Sequence, residues 1–245
     1  MKKSWQFWPV VLLLGCAMAQ GSVQTLTSGE QPTSVLELYT SQGCSSCPPA
    51  EKWLSSLAQY PDLWTKLIPL AFHVDYWDYL GWQDPFANQS YSARQRAYTR
   101  SGGTQSVYTP GFVVAGHEWR GWFQHQPLTL PEQQEAVGTL QLSLDDDDLK
   151  VEFEPRKTPP KGLLLYVARL GFGIDTQITK GENAGKTIKH DFVVLSLQQV
   201  SATRDNHWRT KLHKDPRGER QAVVAWLGAP GDPTPYQAVG GWISP

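Results

Sequence analysis

Cysteine is scarce. Three in 245 residues are too few for the disulfide-dense scaffold of a small secreted domain. An excess of one charge is lacking too: 22 Lys and Arg stand against 23 Asp and Glu. The chain therefore offers no electrostatic footprint for nucleic acid or for an anionic membrane surface. Beyond the first twenty residues no apolar run is long enough to span a bilayer. What is present is ordinary for a folded chain, with 40% apolar and 18% charged residues, which argues against disorder. The length fits one large domain or two small ones.

The N-terminus reads as a targeting segment of residues 1–19. Lys2 and Lys3 precede a short apolar run, and Ala17-Met18-Ala19 forms a cleavage signal. Leu13-Leu14-Gly15-Cys16 offers the competing reading of a lipobox, with a lipid anchor at Cys16. Either way the chain is expected to be exported, to the periplasm or beyond it, or held at the membrane as a lipoprotein.

Export changes what the cysteines mean. Removal of Cys16 leaves Cys44 and Cys47 as an even pair in an oxidising compartment. A bridge over two intervening residues removes little chain entropy, so stapling is a weak reason for it. Zinc needs further ligands, and no second CxxC or paired histidine motif supplies them; no metal and no cofactor is expected. Val35-Leu36-Glu37-Leu38-Tyr39 reads as a strand. After Cys47, Pro48 and Pro49 fit only a helix's first turn. Ala50, Trp53, Leu54, Leu57 and Ala58 then recur at helical spacing. The pair thus sits at a helix N-terminus, whose field lowers a thiol pKa and favours the attacking thiolate.

Residues 66–74 read as a second strand ending at Asp75, parallel to the first through a right-handed crossover. The segment 76–105 is an insertion, rich in aromatics at Tyr76, Trp77 and Trp82 and helical from Ser90 to Arg100. Arg94, Arg96 and Arg100 read as a solvated face, and His73 as a packed strand residue. Asp75 and Asp78 read as loop carboxylates bonding nearby backbone, with a calcium or proton-transfer pair the sharper alternative. Residues 111–115 and 118–122 predict a hairpin turning at Gly116-His117. Thr129-Leu130-Pro131-Glu132 predicts a capped helix through Leu140. Asp145 to Asp148 reads as a charged turn between two alternating strands. Further strands are expected over 163–170, 187–198, 207–213, 222–227 and 236–243, in the manner of an antiparallel sandwich. Residues 181–186 lack the ending of a phosphate loop and read as a plain loop.

The order β-α-β, insertion, β-β-α, with CxxC opening the first helix and Thr109-Pro110 before the hairpin, resembles the thioredoxin fold. Several stretches resemble more closely an exported bacterial thioredoxin-like family classed as a domain of unknown function. They are Leu36 through Ala50, Phe72-His73-Val74-Asp75-Tyr76-Trp77-Asp78, Ser92-Ala93-Arg94-Gln95-Arg96-Ala97-Tyr98, Val107-Tyr108-Thr109-Pro110, and Gly181 through Thr187. The resemblance implies an α/β thioredoxin-like domain over residues 34–140, after a linker of residues 20–33 and before a β-rich, sandwich-like domain over 141–245. It implies a Cys44–Cys47 disulfide, with Cys44 the nucleophile and Cys47 the resolving thiol. Pro110 would be a cis-proline facing them, with Thr109 offering backbone polar groups to substrate. The buried acid of thioredoxins falls here on Leu38, with Glu37 one residue off, so proton transfer would use water, Asp75 or nothing dedicated. The three insertion aromatics are expected to border substrate. The expected activity is thiol–disulfide exchange with envelope proteins or a redox partner. Cu(I) delivery through two thiolates is one alternative; a non-catalytic binding module with a structural disulfide is the other.

Overall fold

The computed structural model describes residues 23–132 and 135–244. The targeting segment and Cys16 lie outside them. Among the described residues no helix is long and apolar enough to cross a membrane.

Among the described residues, fourteen strands and two α-helices follow one another. β1 (Gln24–Thr27) and β2 (Ser34–Thr40) lead to α1 (Pro48–Ser56), then β3 (Leu67–His73) and α2 (Gln89–Ser101). β4 (Gly111–Val114), β5 (His117–Glu118), β6 (Gly138–Asp145), β7 (Asp148–Pro155) and β8 (Leu164–Phe172) come next. The chain finishes with β9 (Ile174–Gln177), β10 (Thr187–His190), β11 (Val193–Val200), β12 (His207–Lys211), β13 (Arg220–Gly228) and β14 (Pro235–Trp242).

Eight of these strands form one mixed sheet in the order β14-β13-β8-β11-β3-β2-β4-β5. β1-β6-β7-β12 form a second sheet, and β9 and β10 a small hairpin. Side-chain alternation explains how the two large sheets stack. Along β13, Val223, Ala225 and Leu227 join Leu140, Leu142, Leu144, Leu149, Val151 and Phe153 of the second sheet in one core. Ala222, Val224 and Trp226, on the opposite face, join a core with residues of β2, β3, α1 and α2. Successive strand residues point to opposite faces, so a strand buried on both must be apolar throughout.

This architecture corrects the expected α/β thioredoxin-like domain followed by a separate β-rich one. The protein is β-rich, and its principal sheet draws strands from both halves of the chain. β3 pairs on one side with β2, in parallel, and on the other with β11, through Val193 opposite Ala71 and the bond from Ala71 N–H to Phe192 O. An uncovered β3 edge would leave a row of backbone groups unpaired, and the C-terminal strands fill it.

Other expectations shift locally. The helix through Leu140 is absent among the described residues there: Leu140, Leu142 and Leu144 alternate inward along β6 instead. Residues read as linker supply β1, which pairs with β6. The β4–β5 turn falls at Ala115-Gly116, both at positive φ, as a two-residue hairpin turn requires. The strand expected over 187–198 divides into β10 and β11, with Phe192 at positive φ between them.

Candidate functional site

The C-terminal ends of β2 and β3 lie side by side, Thr40 opposite His73. β4 enters antiparallel at the same edge, with Gly111 opposite Tyr39. That places three loops together: the one bearing Cys44 and Cys47, the one leaving β3, and the one ending at Pro110.

The first loop is tightly held. Gly43 N–H donates to Ser41 Oγ at 3.0 Å, and Cys44 N–H to Ser41 O at 3.1 Å. Cys44 and Cys47 are disulfide-bonded, their Cα atoms 5.5 Å apart. Cys47 is the N-cap of α1, with prolines in the first turn and no side-chain cap. The helix thus directs its positive end at the sulfur pair. Both cysteines are buried, 1% and 0% exposed.

The Thr109–Pro110 bond is cis. Trp77 connects it to the cysteine loop: its indole N–H donates to Thr109 Oγ1 at 2.7 Å. A Cβ on Gly43 would lie 3.1 Å from Trp77 Cβ. Trp82 donates to Gln42 Oε1 at 2.9 Å. Tyr76 turns towards α2 and donates to Gln95 Oε1 at 3.1 Å; burial pushes its phenol up to about 12. The carboxylate of Asp75 accepts the Ser92 hydroxyl at the start of α2. Thus Trp77 and Trp82 bear on the cysteine loop, whereas the polar groups of Tyr76 and Asp75 are engaged by α2.

The loop between β9 and β10, read from sequence as plain connection, clamps the site. Asn183, wholly buried, donates from Nδ2 to the carbonyls of Gln42 and Cys44, each at 2.9 Å. Glu182 accepts the Ser45 N–H at 3.0 Å. The Ser45 hydroxyl and N–H hold that carboxyl below its ordinary range.

Beneath the disulfide lies a buried polar chain. Glu51, on the first turn of α1, accepts the Thr40 hydroxyl at 2.7 Å and faces His190 Nδ1 at 2.5 Å. Gln42 Nε2 stands 3.0 Å from His190 Nε2. Since Gln42 Oε1 accepts the hydrogen bond of the Trp82 indole N–H, Gln42 Nε2 donates, so His190 accepts at Nε2 and carries its proton on Nδ1. Beside it, His73 Nδ1 meets Asp84 Oδ2 at 2.7 Å. Asp84 also accepts the Gln42 and Phe86 N–H groups. Burial pushes Glu51 up, but the His190 proton and the Thr40 hydroxyl bring it below its ordinary range. Burial likewise opposes the charges of His73 and Asp84, yet each stabilises the other: His73 is raised and Asp84 lowered.

Sequence reasoning missed Glu51, Asp84, His190 and Asn183. Glu51 had a local signal, lying three residues before Leu54 on the buried face of α1. His190 had none, because Glu51 is 139 residues away; Asn183 had only its place in the family-like stretch Gly181 through Thr187, and the carbonyls it holds are 139 and 141 residues away. Arg94, expected on a solvated face, is instead buried and pairs with Glu37 through Nε and Nη2, at 2.8 and 2.7 Å. Tyr39 and Tyr98 complete that carboxylate's shell.

Among curated proteins nothing matches. Two solved structures are similar. One is the crystal structure of protein AGR_C_4864 from Agrobacterium tumefaciens, 23% identical, with a TM-score of 0.54 over 88% of this chain and 95% of that one. The other is HBP35 of Porphyromonas gingivalis, 15% identical, with a TM-score of 0.55 over 86% of this chain and 75% of that one. At these identities the likeness is one of fold alone. Residues 35–227 match the family described as protein of unknown function, DUF1223, and by that match over most of its length the chain belongs to the DUF1223 family.

Proposed function

We propose that the protein is exported and exchanges disulfides with thiols of envelope proteins through Cys44 and Cys47. One observation carries the reading: the disulfide closes at the N-terminus of α1, on the sheet edge that also presents cis Pro110. In the oxidising direction a substrate thiolate attacks Cys44 Sγ. The Cys44–Cys47 bond breaks, and the electron pair leaves on Cys47 as a thiolate at the helix N-terminus. A second substrate thiolate then attacks the substrate sulfur of the mixed disulfide and releases Cys44. Substrate loses two electrons and the cysteine pair gains them. The reverse sequence reduces a substrate disulfide.

The burial of both sulfurs favours a second reading, a structural bridge that never meets substrate. Trapping separates the two. With a disulfide substrate, Cys47→Ser should accumulate a mixed disulfide on Cys44, while Cys44→Ser should accumulate none. Equal trapping by both variants overturns the assignment of Cys44, and no trapping by either favours the structural bridge.

A further inference from the structure

His73 presents the sharpest unexplained atom in the molecule. Its ring is wholly buried, Asp84 occupies Nδ1, and Nε2 has no hydrogen-bond partner. A buried ring nitrogen left unpaired is costly. Its neighbours have the chemistry to use it. One donor atom from each of Glu51, His73 and His190 lies within 4.8 Å of the others, and all three residues are buried. The His73 and His190 rings stand edge to face, 5.3 Å between centroids.

We propose that Glu51, His73 and His190 form a buried site for one divalent transition-metal ion of the zinc class. Two imidazoles and one carboxylate are a zinc donor set that leaves a fourth position open. The outer partners are those such ligands require. Asp84 on Nδ1 directs His73 Nε2 inward, and the Thr40 hydroxyl orients the Glu51 carboxylate. Donors bonded at about 2.0–2.2 Å stand roughly 3.3 Å apart around a tetrahedral ion, so Glu51 Oε2 and His190 Nδ1, now 2.5 Å apart in a hydrogen bond, must separate as the ion enters between them and His73 Nε2.

The hydrogen-bond directions define what binding does. His73 gives up any proton on Nε2. His190 moves its proton from Nδ1 to Nε2, freeing Nδ1 for the ion. The Gln42 amide must then turn over to accept from Nε2, and it releases the Trp82 indole. No sulfur takes part, so the site stands apart from disulfide exchange. Its burial under the β9–β10 hairpin means that the ion enters as the hairpin closes during folding.

The test uses the full chain in its disulfide form, refolded from denaturant with Co2+ as probe and Zn2+ as competitor. One equivalent of Co2+ should be held, with visible absorption of a nitrogen- and oxygen-ligated ion and no sulfur charge-transfer band. His73→Gln and His190→Gln should weaken binding beyond the 10–100-fold typical of outer-partner changes, and Asp84→Asn within it. Trp82→Phe should instead tighten binding by about 2- to 10-fold, because the Gln42 amide then turns without losing a hydrogen bond. A purely structural Trp82 gives no such gain. Failure to hold Co2+ overturns the proposal. So does a sulfur band that vanishes in the Cys44→Ser, Cys47→Ser double variant, or Trp82→Phe binding no tighter than the native chain. Should the histidine variants fail to fold, the native spectrum and Trp82→Phe still decide. None of these outcomes bears on whether Cys44 traps substrate.

Discussion

Trp77 donates its indole N–H to Thr109 Oγ1 at 2.7 Å, tying the segment that leaves β3 to the residue before cis Pro110. The same side chain packs against Gly43, next to Cys44. One tryptophan therefore sets the spacing between the cysteine loop and the proline loop.

Trp77→Phe keeps most of the packing and deletes the hydrogen bond. Stability should fall by about 0.5–1.5 kcal/mol, the usual net worth of one such bond. Disulfide exchange with a protein substrate should slow more than exchange with a small dithiol, because only the larger substrate needs both loops in register. Equal slowing of the two would reduce Trp77 to a packing residue.

The Glu37–Arg94 pair makes a separate prediction about the core. Arg94 also donates to Pro233 O at 2.9 Å, binding α2 to the loop before β14. Glu37→Gln leaves a guanidinium buried without its counter-charge and should cost about 3–5 kcal/mol in urea unfolding. Glu37→Met combined with Arg94→Met should cost less than the two single changes together. A loss below about 1 kcal/mol for Glu37→Gln would mean that water reaches the pair.

Tyr76 supplies a pH signature. Burial holds its neutral form in the fold up to about 12, against an ordinary value of 10.0. The native state therefore keeps a proton that the unfolded chain loses. This contribution is complete below pH 10 and declines as pH rises from there towards about 12. Tyr76→Phe should remove that decline. The difference in tyrosinate absorbance between native protein and variant should be a step centred near 12, and a step near 10 would place Tyr76 in water.

Much of this fold was legible because β-strands write their faces into alternate residues. Leu140, Leu142 and Leu144, or Leu149, Val151 and Phe153, declare one buried face each. The cysteine loop was legible because Pro48 and Pro49 can only open a helix. What joins distant segments was not. The contact of Val193 with Ala71 that unites the halves is one parallel bridge, with no local pattern to mark it. Thr129-Leu130-Pro131-Glu132 carried a valid helix-start signal, yet tertiary burial of the following leucines prevailed. Arg94 looked solvated because charge is usually exposed, and its partner lies 57 residues earlier, on an apolar strand. The histidine cluster needed three elements in register before any one of its members meant anything.

Asn183 tests whether the β9–β10 loop guards the disulfide. Its amide donates to the carbonyls of Gln42 and Cys44, and its Oδ1 accepts from Lys186 Nζ at 2.8 Å. Asn183→Ala takes the amide donor from the Gln42 carbonyl, a loss of about 1–3 kcal/mol if that group is left without a partner, while the Cys44 carbonyl keeps the Cys47 N–H at 3.2 Å. Asn183→Asp is worse, because a carboxylate oxygen then faces those carbonyls with nothing to donate. Both variants should unfold at lower denaturant, the aspartate more so. Cys44 is 1% exposed, so a reductant reaches it only when some neighbouring segment lifts, and if that segment is the β9–β10 loop, loosening the clamp lowers the cost of lifting it. Reduction by a small dithiol, followed under native conditions, should accordingly be faster in both variants and fastest in Asn183→Asp. If stability falls while the reduction rate stays that of the native chain, the loop supports the fold without guarding the sulfurs, and access to Cys44 must open elsewhere, on the side bounded by Trp77.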